Sequence, residues 1–180
     1  MGELLYFHNY KKNHSFKKNL SALLKEAFEV QEKEEKVTNS GIFISDFERM
    51  REMIEKEMSK ELLEKNALES EFFLCMKYVS KLLSETARQP LFSLYILDYL
   101  SKIESKEDHL PFKEAADLCF ILCSLFPERT ERRMMRWNDY VMMGKSLYGS
   151  FYQKSGLDIA YYMSTKYQTI AVIAHNALGK

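Results

Sequence analysis

The chain has 180 residues, 46% of them hydrophobic and 13% aromatic, enough to bury one sizeable core, and a single domain is the expectation. Lys plus Arg and Asp plus Glu number 26 each, so the net charge is zero and no overall field draws the chain to nucleic acid or to an anionic membrane. Six glycines and three prolines supply too little turn chemistry for a many-stranded sheet, and the abundance of Leu, Glu, Lys, Met and Ala predicts an all-α fold.

Residues 1–13 carry no periodic pattern. The opening "MGELLYFHNYKK" lacks the basic start and sustained apolar run of a secretory signal, and Tyr6 stands where a myristoylation site carries Ser or Thr. No apolar run approaches the ~20 residues of a membrane-spanning helix. Phe16, Leu20, Leu23, Leu24, Ala27 and Phe28 recur at helical spacing and predict a helix over residues 15–36, which "VTNSG" ends. Residues 1–45 therefore read as an N-terminal helix and linker, loosely attached to a helical core domain of residues 46–180. Ser45 or Asp46 can cap the next helix, in which Phe47, Met50, Ile54, Met58 and Leu62 share one face. Whether this helix pauses near Asn66 or continues to about residue 88 stays open.

Pro90 suits a helical first turn, and "PLFSLYILDYLSKI" is apolar nearly all round, so a central helix is expected there. Pro111 does the same for "PFKEAADLCFILCSLF", a second central helix burying Leu118, Ile121, Leu122, Leu125 and Phe126, which Pro127 terminates. After the basic "ERTERRMMRW", Asn138 is the expected cap of a helix to about residue 154. Ser155-Gly156 ends it, and Asp158 caps a last helix to about residue 178. In that last helix Ile159, Met163, Ile170, Ile173 and Ala174 should face inward, with Tyr162 and Tyr167 near the edges. The sum is six or seven helices in one bundle, without an internal repeat.

Gly144-Lys145-Ser146 is the tripeptide that closes a phosphate-binding loop. That loop needs a glycine at the position held here by Asp139, and a strand leading into it, so nucleotide binding is not expected. A structural account is stronger. Ser146, Gly149 and Ser150 lie at i, i+3 and i+4, a face that another helix can approach closely, beside Met143, Leu147, Tyr148 and Phe151, and Gly144 marks close packing or a kink. Cys119 and Cys123, at i and i+4, and Cys75 read as buried free thiols of a reducing, cytoplasmic compartment. His8, His14, His109 and His175 are scattered, without metal-ligand spacing, and no nucleophile elbow is present, so no metal, cofactor or catalytic residue is expected.

The most unusual local feature is Arg129, Arg132, Arg133 and Arg136, spaced i, i+3, i+4 and i+7, one basic helical stripe beside Trp137. Paired guanidinium donors and an indole suit a binding surface, to which Tyr140 adds. Internal pairing with Glu128, Glu131, Asp139, Asp117 or Glu114 is the competing reading. A single stripe supplies few phosphate contacts, so nucleic acid is not the expected partner.

The segments "MKYVSKLL", "ADLCFILCSLFPERTERR" and "NDYVMMGKSLYGSF" carry a resemblance. Across about residues 70–178 the chain resembles a family of uncharacterised bacterial helical proteins, which have a "Y-L-V-x-L-L" type helix, a "D-x-x-L-x-x-x-G-x-F" type helix and then "D-Y-Y-x-x-M-G-x-x-A-Y". It departs from that pattern at Ser124, Val141 and Leu147. The resemblance implies a bacterial, cytoplasmic, all-helical protein and transfers no catalytic residue or cofactor. The expectation is a non-catalytic protein-interaction or regulatory module with an unidentified protein partner, self-association as a homodimer being open. The alternative is a small-ligand binder or enzyme with a pocket between the last two helices, near Gly144, Tyr148 and Tyr162.

Overall fold

Asn66 divides the charged segment after Ser45 into two helices. Its φ of 53° lies in the left-handed region, which asparagine tolerates better than most residues, and helical propagation stops there. The N–H of Asn66 donates to the Leu63 carbonyl at 3.1 Å and that of Ala67 to the Leu62 carbonyl at 2.9 Å, so two carbonyls left over at the helix end are satisfied within the turn. The structure, a computed structural model, describes residues 44–88, 93–103, 108–127 and 135–178. These form six helices and no strand: α1 (Ile44–Glu64), α2 (Ser70–Arg88), α3 (Ile96–Leu100), α4 (Leu110–Leu125), α5 (Trp137–Ser155) and α6 (Asp158–Leu178). The helix expected over residues 15–36 lies outside the described residues, as do Arg129, Arg132 and Arg133.

Helix α4 is the centre. Every residue from Ala115 to Phe126 is buried, as an element surrounded on all sides requires. Pro111 occupies its first turn, and Asp108 accepts the Leu110 N–H at 3.0 Å. Phe126, forced off the helical region by Pro127, ends it at φ −129°, ψ 48°. Helix α6 is the second organiser and packs against α1, α2, α4 and α5. Ile54, Met58 and Leu62 of α1 and Met163, Ile170, Ile173 and Ala174 of α6 are wholly buried in the common core. Each such large aliphatic side chain contributes about 1.5–3 kcal/mol on transfer from water.

Several expectations are corrected. The segment after Pro90 is not a central helix. Ser93 to Tyr95 is not helical, Tyr95 is extended at φ −101°, ψ 116°, and α3 has only five residues. Local polar groups compete with the helix here: Ser93 Oγ accepts the Tyr95 N–H, and the Tyr99 hydroxyl accepts the Ser93 N–H. Leu94, Ile96 and Tyr99 anchor the segment while Leu97 remains 72% exposed. Helix α5 starts at Trp137, before Asn138, because the Asp139 carboxylate accepts the Arg136 N–H at 2.7 Å and closes the first turn. Arg136 itself is extended, at φ −84°, ψ 165°, and precedes the first helical residue of α5. Tyr167, expected near an edge, is fully buried, and Ser146, expected on the close-packing face, is exposed.

Candidate functional site

Two features stand apart from ordinary apolar packing: a polar hub in the core and a tyrosine patch at one end of the α5–α6 hairpin. The hub is Asp117. Its apolar neighbours on α4 bring its carboxylate inside, where an unpaired charge is costly, and three donors from three helices meet it. Tyr78 of α2 donates to Oδ1 at 2.7 Å, Tyr148 of α5 donates to Oδ1 at 2.5 Å, and Lys113, one turn earlier on α4, donates to Oδ2 at 2.6 Å. Burial, with the Asp117 charge beside them, pushes the Tyr78 and Tyr148 hydroxyls well above the usual phenol range, so both remain donors. The hub is a satisfied cross-brace between helices.

Beside it the Tyr167 ring lies directly over Gly144. A Cβ at position 144 would fall 2.2 Å from Tyr167 Oη and 2.3 Å from Cζ, so glycine there admits the ring against the α5 backbone. Phe120 meets Tyr167 edge-on at 5.5 Å, and Tyr148 lies at 5.9 Å. The Tyr167 hydroxyl sits beside the Cys123 thiol but finds no hydrogen bond of standard geometry among the described residues. Gly144-Lys145-Ser146 is thus mid-helix, with Tyr167 over Gly144 and Ser146 exposed. Gly149 faces Ser164, whose hydroxyl donates to the Lys145 carbonyl at 3.0 Å, so the close helix approach uses Gly144 and Gly149.

The C-terminus of α4 is finished by side chains distant in sequence. The Trp137 indole N–H donates to the Cys123 carbonyl at 3.2 Å, and His175 Nδ1 lies 3.1 Å from the Ser124 carbonyl. Since a carbonyl only accepts, His175 carries its proton on Nδ1 in this contact. The last carbonyls of a buried helix need such partners. Cys75, Cys119 and Cys123 are buried free thiols; burial pushes Cys75 and Cys123 up to about 12 and raises Cys119 as well, away from the reactive thiolate.

At the far end of the hairpin, Gly156, in the left-handed region at φ 68°, ends α5 and donates its N–H to the Tyr152 carbonyl at 2.8 Å. The turn brings Tyr152 of α5 against Tyr161 of α6, ring centroids 5.4 Å apart, and Tyr162 lies 5.8 Å from Tyr161. Tyr161 is 48% exposed and the adjoining Leu157 50%.

The structure thus separates the residues singled out in the sequence. Tyr140 is 2% exposed and Tyr148 1%, so neither faces a partner. Trp137 is half-buried and bound to α4, Arg136 is exposed at the start of α5, and Tyr162 joins the patch at its other end. Asp117 and Glu114 take partners other than Arg136, Glu114 pairing with Lys102 at 4.0 Å, whereas Asp139 accepts the Arg136 backbone N–H. Among the described residues no group of three or more His, Cys, Asp or Glu could hold a metal ion, and no helix is long and apolar enough to cross a membrane. The hub escaped the sequence reading: Tyr78, Asp117 and Tyr148 are far apart in the chain, and Asp117 inside an apolar run was the one available signal. Comparison with protein-family models, with curated proteins and with solved structures gives no match to this chain.

Proposed function

We propose that the protein is a non-catalytic interaction module that meets a protein partner through the turn end of the α5–α6 hairpin. The observation that carries this reading is the contrast between its two unusual features. Inside, Asp117 is shared among Tyr78, Tyr148 and Lys113, and the thiols are buried in their neutral form. Outside, Tyr161, in ring contact with both Tyr152 and Tyr162, and the exposed Leu157 present apolar area with hydroxyl tips, a composition that favours protein interfaces. The arginines at 129, 132 and 133 lie near the opposite end of α5 in sequence, so the reading does not depend on them.

The test is site-specific photocrosslinking in the cells that make the protein, with a photoreactive phenylalanine analogue at Leu157 or, as control, at exposed Gln168 further along α6. An adduct formed from position 157 and absent from position 168 is the expected result. Its mass identifies the partner as a second copy or another protein. No adduct at position 157, or the same adduct from both positions, overturns the reading.

A further inference from the structure

Among the described residues four aromatic rings carry a lysine of their own. Lys102 lies over Tyr99 at 5.1 Å, Lys113 over Tyr78 at 5.6 Å, Lys154 over Phe112 at 5.3 Å and Lys166 over Phe72 at 5.0 Å. The attraction of a cation for the negative face of a ring explains the arrangement. Tyr161, the most exposed ring of the patch, carries none among the described residues. The two cations nearest in sequence are turned elsewhere, Lys166 onto Phe72 and Glu69 and Lys154 onto Phe112. Asp158 lies three and four residues before Tyr161 and Tyr162, on the same side of α6. It is exposed and forms no ion pair among the described residues. The Tyr161 ring is also held in place, by Tyr152 at 5.4 Å and Tyr162 at 5.8 Å, so little side-chain freedom remains to be lost on binding.

We infer that the patch recognises an arginine side chain of the partner, its guanidinium stacked on the Tyr161 ring with the Asp158 carboxylate as counter-charge. The inference rests on the interaction reading above and specifies the chemistry of the partner. A planar guanidinium supplies both requirements, stacking area for the ring and donors for the carboxylate. The rings Tyr99, Tyr78, Phe112 and Phe72 meet the same need internally, whereas Tyr161 leaves it to a second molecule.

The experiment uses the full chain with ¹³C-labelled tyrosine rings and two pentapeptides as probes, acetyl-Gly-Arg-Gly-Arg-Gly-amide and its citrulline counterpart, alike in shape but uncharged. The arginine peptide should shift the Tyr161 ring resonances saturably. The citrulline peptide should need roughly fifteenfold more for half-saturation, about fivefold from the loss of the cation–ring contact and about threefold from the loss of the ion pair. Asp158→Asn should weaken the arginine peptide about threefold, the worth of an exposed ion pair, and raised salt should erase that difference. Tyr161→Leu, which keeps the apolar area, should reduce the preference for arginine over citrulline to the roughly threefold of the ion pair, read on the Tyr152 and Tyr162 rings. Equal binding of the two peptides, or no Tyr161 shift at about 10 mM peptide, overturns the inference. Because Asp158 also favours the start of α6 through the helix dipole, each variant is compared at matched thermal stability. A crosslink from Leu157 with no discrimination between the peptides would sink the arginine inference and leave the interaction surface standing; loss of the crosslink with discrimination intact would do the reverse.

Discussion

Gly144→Ala tests the packing of α5 on α6 most directly. An added Cβ would lie 2.2, 2.3 and 2.6 Å from Oη, Cζ and Cε2 of Tyr167, all well inside contact distance. The ring has no easy retreat, because Tyr167 is fully buried and Phe120 and Tyr148 stand at 5.5 and 5.9 Å. Overpacking of a filled core costs about 1–3 kcal/mol, and contacts this short on an immobile ring place the cost near the top, at about 3 kcal/mol. Alanine recovers about 1 kcal/mol through its better helix propensity. The expected net loss is about 2 kcal/mol, a fall in Tm of about 4–8 °C for a chain of this size. Urea unfolding followed by circular dichroism measures it. Gly149→Ala is the internal control: its Cβ would meet only Ser164 Oγ, at 3.4 Å, an ordinary contact, so the propensity gain should prevail and stabilise by about 0.5–1 kcal/mol. A Gly144→Ala variant as stable as the parent would refute the claim that glycine is there to admit Tyr167.

Two buried tyrosines should respond oppositely to the same change. Tyr148→Phe removes a hydrogen bond to a carboxylate and should cost about 1.5–3 kcal/mol, whereas Tyr167→Phe removes a hydroxyl that makes no standard hydrogen bond and should be neutral or stabilising; equal losses in urea unfolding would contradict the geometry. Alkali should destabilise the fold through the buried thiols. Cys75 and Cys123 are raised from 9.0 to about 12, so above pH 9 the unfolded chain gives up protons that the folded chain retains, and stability, complete below pH 9, is lost as pH rises towards 12. Each thiol contributes a slope of about 1.4 kcal/mol per pH unit within that window, and the raised tyrosines add to it above pH 10. Urea midpoints between pH 8 and 11 check this, and Cys75→Ala should flatten the slope by one proton. A profile with no slope would reject it.

Much of the fold is legible in the chain because it rests on local signals. Pro111 and Pro127 bracket α4, Gly156 stops α5, and the spacing of Ile54, Met58 and Leu62 gives the inner face of α1. The segment after Pro90 misled because apolar content does not reveal that Ser93 and Tyr99 will hydrogen-bond to nearby backbone and shorten the helix. The start of α5 was displaced by one carboxylate, Asp139, at the third helical position. At the candidate sites the difficulty is of another kind. Trp137 and Tyr140 looked like interface residues by type, yet type does not distinguish an indole facing a partner from one capping a helix end. The tyrosine patch needs Tyr152 and Tyr161 to meet across a turn, and the hub needs Tyr78, Asp117 and Tyr148 to meet from three helices; both are set by tertiary packing, which a periodic pattern does not encode.

The way α4 ends also bears on how the chain comes to be folded during its manufacture. The innermost helix is complete in sequence at Leu125, but the groups that satisfy its Cys123 and Ser124 carbonyls belong to Trp137 and to His175, the latter 51 residues beyond Ser124. A growing polypeptide that has released α4 from the ribosome still lacks its terminating donors, and water must stand in for them at a site meant to be dry. Closure of this core therefore waits for α6, so it should set in one step once α6 has emerged, in contrast to a solenoid that can settle repeat by repeat as it emerges.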